Sequence, residues 1–166
     1  MDGPDQTHDV ELDALYRETV LDHFRSPRGR KPLARVDLAR EGYNPVCGDR
    51  MTLNLALDGE TIAGVSVQTK GCVISVASGS MLAELVPGKT RTEAQQLAEG
   101  FRRMMHGEPV PSGIDVGDLD ALGGVKNFPV RVKCALLAWM TLLDALRSTD
   151  KDNTSGGVTN LEQRGD

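Results

Sequence analysis

The sequence has few aromatic side chains, no long apolar segment and no excess of positive charge. Phe, Trp and Tyr make up 4% of its 166 residues, so aliphatic side chains must fill most of the core. No apolar run approaches the roughly 18–20 residues that a membrane-spanning helix needs, and no membrane partner is expected. The net charge of −5 argues against a nucleic-acid partner, because phosphate contacts require clustered Lys and Arg.

The sequence also has few cysteines. Its first twenty residues lack the basic and apolar segments of a signal peptide, so we expect a cytoplasmic protein. In a reducing compartment Cys47, Cys72 and Cys134 stay free of disulfides. They can be buried inert thiols, reactive thiols or metal ligands, and no Cys-x-x-Cys pair indicates a zinc finger.

Apolar periodicity predicts four helices and one antiparallel hairpin. Asp9 is the expected N-cap of the first helix, Thr90 and Glu93 form an expected capping box, and Pro129 opens the last helix. Asp58-Gly59 is the expected turn of the hairpin. The predicted helices are 9–24, 73–86, 90–105 and 129–146, and the predicted strands are 50–58 and 61–69.

This order of elements predicts an α+β fold, with a small antiparallel sheet of about three strands that is packed on one side by helices. Residues 9–148 are expected to form a single domain. Residues 1–8 are expected to be flexible, and residues 149–166 to be disordered because they show no apolar periodicity.

The three cysteines lie at junctions between these elements. Cys47 precedes the first predicted strand, Cys72 lies between the hairpin and a helix, and Cys134 lies in the first turns of the last helix. Helix N-termini favour thiolate over thiol. Arg131 lies three residues before Cys134 on the same helix face and adds a positive charge there.

Asp49 extends this candidate site. Gly48 allows a sharp turn that can direct Cys47 and Asp49 towards one point. Three thiolates and one carboxylate make a tetrahedral set suited to Zn²⁺. An ordinary turn residue is the alternative interpretation of Asp49.

Five segments carry a family resemblance: LYRETVLDH (15–23), YNP (43–45), CGD (47–49), KGCVISVASGS (70–80) and RVKC (131–134). In this order they resemble the IscU/SufU family over roughly residues 10–147. Scaffold proteins of the IscU branch typically carry His where this chain has Lys133. The SufU branch resembles this chain in its Arg131 and in an insertion, which here falls within about 87–122.

The resemblance implies Zn²⁺ held by Cys47, Asp49, Cys72 and Cys134, with Cys47 and Arg131 as catalytic residues. It implies a zinc-dependent sulfurtransferase that takes persulfide sulfur from a SufS-type cysteine desulfurase. A histidine of the desulfurase would replace Cys47 at the metal, and a downstream iron–sulfur assembly scaffold would receive the sulfur. The alternatives are a scaffold that carries an iron–sulfur cluster on the same thiolates, and a non-catalytic zinc-stabilised adaptor.

Overall fold

The computed structural model describes residues 6–147 and 157–164, with side chains from residue 15 onward. Helices and strands follow one another in an order that agrees with an α+β fold. They are α1 (Gln6–Arg25), β1 (Leu38–Asn44), β2 (Asp49–Asp58), β3 (Thr61–Lys70), α2 (Val73–Leu85), α3 (Arg91–Met105), a 3-10 helical segment (Gly117–Asn127), α4 (Pro129–Arg147), β4 (Val158–Asn160) and α5 (Leu161–Arg164).

The strands form one four-stranded sheet in the order β3-β2-β1-β4. β1, β2 and β3 pair antiparallel, whereas β4 runs parallel to β1 along its outer edge. The predicted hairpin is confirmed, and its two turn residues are Gly59 and Glu60, one position after the expected Asp58-Gly59. The sheet therefore has one short parallel strand more than the expected three.

The core lies between one face of the sheet and the helices. Met51, Leu53 and Leu55 alternate along β2 and are buried, as expected for a strand with one covered face. α2 and α4 supply most of the opposing surface, and buried Trp139 of α4 contacts Phe101 of α3 with ring centroids 5.8 Å apart. Burial of these aliphatic and aromatic side chains is the main stabilising contribution.

Two helices begin at the residues that the local sequence predicts. The capping box is confirmed, since the Thr90 hydroxyl accepts from the Glu93 N–H and the Glu93 carboxylate accepts from the Thr90 N–H. Pro129 is the first residue of α4, as predicted. In the part of the chain that the structure describes, no helix is both long and apolar enough to cross a membrane.

β1 was missing from the prediction because apolar alternation is weak in it. Of its inward-facing residues only Leu38 is a large hydrophobe, while Gly42 and Asn44 are also buried. A Cβ at Gly42 would collide with Thr141 Oγ1 of α4, so close packing requires glycine there. Glycine and asparagine are typical of turns, and they conceal the strand in the sequence.

Both chain ends differ from the expectation. α1 begins at Gln6, so residues 6–8 are helical and Asp9 is not the N-cap; no glycine or proline lies between Gln6 and Val10. Residues 157–164, expected to be disordered, form β4 and α5 because Leu161 is fully buried and the Arg164 guanidinium donates to Asp144 at 3.1 Å. Residues 1–5, 148–156 and 165–166 lie outside the described part of the chain.

Candidate metal centre

The Cys47 thiol lies in the four-residue turn between β1 and β2. Gly48 has a φ of +78°, a conformation that favours glycine, and its N–H donates to the Asn44 carbonyl oxygen at 2.7 Å. This turn leaves Cys47 exposed, whereas Asp49, the first residue of β2, is buried. An exposed thiol and a buried carboxylate therefore lie two residues apart in the chain.

Three of the four predicted metal ligands form a compact group. The thiol sulfurs of Cys47 and Cys134 and one carboxylate oxygen of Asp49 all lie within 4.8 Å of one another. The two sulfurs are 3.5 Å apart. Sulfur ligands at about 2.3 Å from a tetrahedral zinc ion are about 3.8 Å from each other, so this spacing fits zinc.

Cys72 lies at the edge of this group and is not among the atoms within that 4.8 Å limit. Its backbone N–H donates to Asp49 Oδ1 at 3.1 Å, so the Asp49 carboxylate is directed between Cys72 and the other thiols. The Cys72 side chain is half-buried at the N-cap of α2, with its sulfur 3.5 Å from Ser75 Oγ. The Cys72 sulfur interacts with the Cys134 thiol and therefore borders the group.

The electrostatics of the site favour a thiolate at Cys72. Interaction with the Cys134 thiol, followed by the Ser75 hydroxyl, lowers the pKa of Cys72 to about 5. The pKa of Cys134 is raised, because its proton is held by Cys72 and because burial disfavours a second charge. Arg131 is exposed, and its pKa is raised by contact with Cys134 and by the charge of Cys72.

Asn44 is a site residue that the sequence analysis did not assign. It is fully buried, and its Nδ2 donates to Asp49 Oδ2 at 3.3 Å and to Cys134 Sγ at 3.8 Å. Its Oδ1 accepts from the Val46 N–H at 3.2 Å, which fixes the start of the Cys47 turn. Its place in the Tyr43-Asn44-Pro45 segment, just ahead of Cys47, was the signal in the sequence.

Gly71 provides the space that brings Asp49 close to Cys72. A Cβ on Gly71 would collide with the Asp49 carboxylate, whereas a Cβ on Gly123 would meet no atom within 4 Å. We therefore expect Gly71→Ala to lower the free energy of unfolding by about 1–3 kcal/mol and to weaken metal retention. Gly123→Ala, the matched control, should stay within about 0.5 kcal/mol in urea unfolding. Equal effects of the two substitutions would mean that Gly71 has no special role.

The remaining candidate side chains lie apart from the thiols. Lys133 lines a separate groove together with His106 and Lys126, and none of the three cysteines lines that groove. His23 belongs to a second group of possible ligands with Glu84 and Asp118.

The side chains of this second group already form hydrogen bonds and ion pairs within the protein. His23 is buried, with Nδ1 2.7 Å from Ser80 Oγ and Nε2 2.8 Å from Asp118 Oδ2. Glu84 is paired with Arg28 at 3.1 Å. Both ring nitrogens of His23 are therefore used to join α1, α2 and the 3-10 segment.

Comparisons with known proteins agree with this fold and identify the family. Residues 15–135 match the family model described as NifU-like N terminal domain. The zinc-dependent sulfurtransferase SufU of Bacillus subtilis is 39% identical over 133 residues, 80% of this chain and 90% of that protein. The iron–sulfur cluster assembly scaffold protein IscU of Streptococcus pyogenes is 37% identical over 137 residues, 82% of this chain and 86% of that protein.

A solved structure extends the comparison to three dimensions. The putative iron–sulfur cluster assembly scaffold protein for the SUF system from Fervidobacterium islandicum superposes with a TM-score of 0.74 at 35% identity. The match covers 78% of this chain and 95% of that one. The chain belongs to the NifU-like N-terminal domain family of iron–sulfur cluster assembly proteins, which includes SufU and IscU.

Proposed function

We propose that this chain is a zinc-dependent sulfurtransferase that accepts persulfide sulfur on Cys47 from a SufS-type cysteine desulfurase and supplies a downstream iron–sulfur assembly scaffold. One observation carries the proposal: an exposed thiol, Cys47, lies 3.5 Å from the buried thiol of Cys134 and beside the buried Asp49 carboxylate. The resemblance to a relative named as a zinc-dependent sulfurtransferase supports the same function.

The donor atoms suit zinc. Cys47, Asp49 and Cys134 would hold the ion, with the bordering Cys72 as the fourth ligand. Thiolate and carboxylate ligands are typical of tetrahedral zinc sites. Bound zinc would keep the cysteine sulfurs deprotonated at neutral pH, since coordination requires the thiolate.

Exposure makes Cys47 the sulfur acceptor among the three cysteines. Cys134 is buried within α4 and Cys72 is anchored at the start of α2, whereas Cys47 can reach a partner from its turn. The Cys47 thiolate attacks the terminal sulfur of the donor persulfide, and a new S–S bond forms as the donor's S–S bond breaks. The donor cysteine leaves as a thiolate, and Cys47 then carries the persulfide.

Arg131 supports this step through its charge. Three thiolates and a carboxylate outweigh the charge of one zinc ion, so the site retains net negative charge that an anionic donor would encounter. The exposed guanidinium of Arg131 lies close enough to Cys134 and Cys72 for each to raise its pKa. It therefore offsets that charge where the donor persulfide would approach.

A cluster-carrying scaffold is the second candidate, and the 37% identity to a relative named as an IscU scaffold favours it. The same thiolates suit zinc and iron–sulfur clusters. Lys133 argues for transfer, because this residue stands where scaffolds of the IscU branch typically carry a histidine, and an ammonium group cannot bind a metal.

One paired measurement separates the candidates. Metal content of the purified protein is determined, and turnover of the cysteine desulfurase is measured with and without the chain. A sulfur acceptor contains zinc and raises turnover; a cluster scaffold binds iron and sulfide; a zinc-stabilised adaptor contains zinc and leaves turnover unchanged. Zinc at about one ion per chain together with increased turnover is the expected result.

A further inference from the structure

A groove of about 700 Å³ opens between α1, α2, the 3-10 segment and the start of α4. Its walls are largely apolar, since Val20 and Leu21 come from α1, Val73 and Ile74 from α2, and Val125 and Phe128 from the chain before α4. Apart from Arg131, none of its lining residues has a role in the mechanism above. An apolar groove of this size is typical of a binding surface.

Large hydrophobic side chains are exposed around the groove and the Cys47 turn. Phe128 lines the groove and is 63% exposed, and Val130, one residue into α4, is 54% exposed. Val46, directly before Cys47, is 52% exposed. Exposed hydrophobes next to a reactive thiol indicate a surface that a protein partner covers.

The groove also adjoins the metal ligands. Val73 follows Cys72 in the chain, and Arg131 lies on the groove wall one helical turn before Cys134. A partner segment lying in the groove would therefore end beside the thiols. This adjacency is what a sulfur donor requires, because transfer needs the two sulfur atoms in contact.

Charge at the groove favours an acidic partner. Arg17 of α1 and Arg131 of α4 both line it, and within residues 15–147 and 157–164 neither forms an ion pair with a carboxylate. Asp120, the acidic group nearby, accepts a hydrogen bond from Tyr16 at 2.8 Å. The groove walls thus carry two guanidiniums, of which Arg131 also faces the thiols, on a chain whose net charge is −5.

A second copy of the chain fits the groove poorly. In a symmetric dimer the same patch faces itself, so Arg17 and Arg131 of both copies would meet. Like charges at such a contact oppose association. A different protein that presents an apolar side chain beside carboxylates complements both the apolar walls and the two arginines.

We propose that this groove is the docking surface for the cysteine desulfurase, and that it receives a segment of that enzyme with an apolar side chain flanked by carboxylates. The proposal rests on the proposed function, because it takes the sulfur donor as the partner. Phe128 would be the central apolar contact, and Arg17 and Arg131 would pair with the carboxylates.

The test measures the dissociation constant between the zinc-loaded full chain and the desulfurase, by titration calorimetry at two salt concentrations. Phe128→Asp is expected to raise the dissociation constant about tenfold or more, as for a central interface residue. Arg17→Glu should raise it about threefold to tenfold and reduce its salt dependence. Val36→Asp is the matched control, because Val36 is 46% exposed, does not line the groove and precedes β1 at the end away from the Cys47 turn. It should change binding less than about twofold.

Other readouts separate docking from chemistry. Zinc content, and the sulfur accepted at saturating desulfurase, should be the same in Phe128→Asp, Arg17→Glu and wild type. If Phe128→Asp loses zinc, the test rests on Arg17→Glu, because Arg17 is an exposed residue of α1, and α1 supplies none of the proposed metal ligands.

Three results would overturn the groove proposal. Wild-type affinity in both groove variants would do so while leaving the sulfur-acceptor function in place. A dimer in sedimentation that Phe128→Asp dissociates would show that a second copy occupies the groove. No binding of the wild-type chain to the desulfurase would remove the proposed function as well.

Discussion

Replacing Cys47 by alanine is expected to reduce the sulfur accepted per chain from about one atom to none, because the substitution removes the attacking nucleophile. Desulfurase turnover in the presence of the variant should fall to the rate of the desulfurase alone. The fold should survive, since Cys47 is exposed in a turn and its removal leaves no cavity. Sulfur acceptance is measured with cysteine as substrate and the persulfide detected on the chain.

Val46→Ala is the matched control for this substitution. Val46 is the neighbouring residue in the same turn and is 52% exposed, but its side chain offers no ligand or nucleophile. It should accept sulfur with the stoichiometry of the wild-type chain. If Cys47→Ala also accepts one sulfur per chain, Cys72 or Cys134 is the acceptor and the mechanism above is wrong.

Removal of zinc is expected to destabilise the domain. Zinc at a free concentration a hundredfold above its dissociation constant contributes about 2.7 kcal/mol to the free energy of unfolding. For a domain of this size that corresponds to a fall of about 5–10 °C in melting temperature. Calorimetry of the protein before and after chelation, with zinc added back as a reversibility check, measures the change.

Cys134→Ala shows whether this loss comes from the proposed site. Cys134 is buried within α4, so the substitution lowers stability directly and also removes a metal ligand. Chelation should then cause little further change in the variant. An unchanged melting temperature after chelation of the wild-type chain would argue that no zinc is bound at these residues.

Periodicity predicted most of the fold. Alternating apolar residues in β2 are a strong signal because one face of that strand is buried. The runs of apolar and small residues in α2 and α4 are equally clear, because both helices are buried on nearly all sides in their middle turns. The capping residues Thr90, Glu93 and Pro129 marked helix starts by purely local chemistry. These signals depend only on residues that are close together in the chain, so they can be detected in the sequence.

β1 and β4 could not be predicted because the contacts that stabilise them come from residues far away in the chain. Gly42 is explained by Thr141 of α4, and Thr159 of β4 by its hydrogen bonds with Arg40 and Asp144 at 2.7 Å each. Only the folded chain brings these residues together. A three-residue strand leaves no periodicity to detect.

Some residues of the candidate site could likewise be predicted from the sequence, and others could not. The cysteines, Asp49 and Arg131 were selected by residue type, junction position and resemblance, and Gly48 by its turn. Asn44 and Gly71 were not assigned, because their roles are a buried amide contact and a missing Cβ next to Asp49. Such roles depend on distances across the site rather than on spacing along the chain.

The most direct test of the sulfur-acceptor mechanism is intact-mass and peptide mass spectrometry after a single turnover. Zinc-loaded chain is mixed with desulfurase that carries one persulfide, and the added mass is located among the three cysteine-containing peptides. The proposed mechanism predicts the mass of one sulfur atom on Cys47 and none on Cys72 or Cys134. Sulfur on either of the other two cysteines, or no transfer at all, would contradict it.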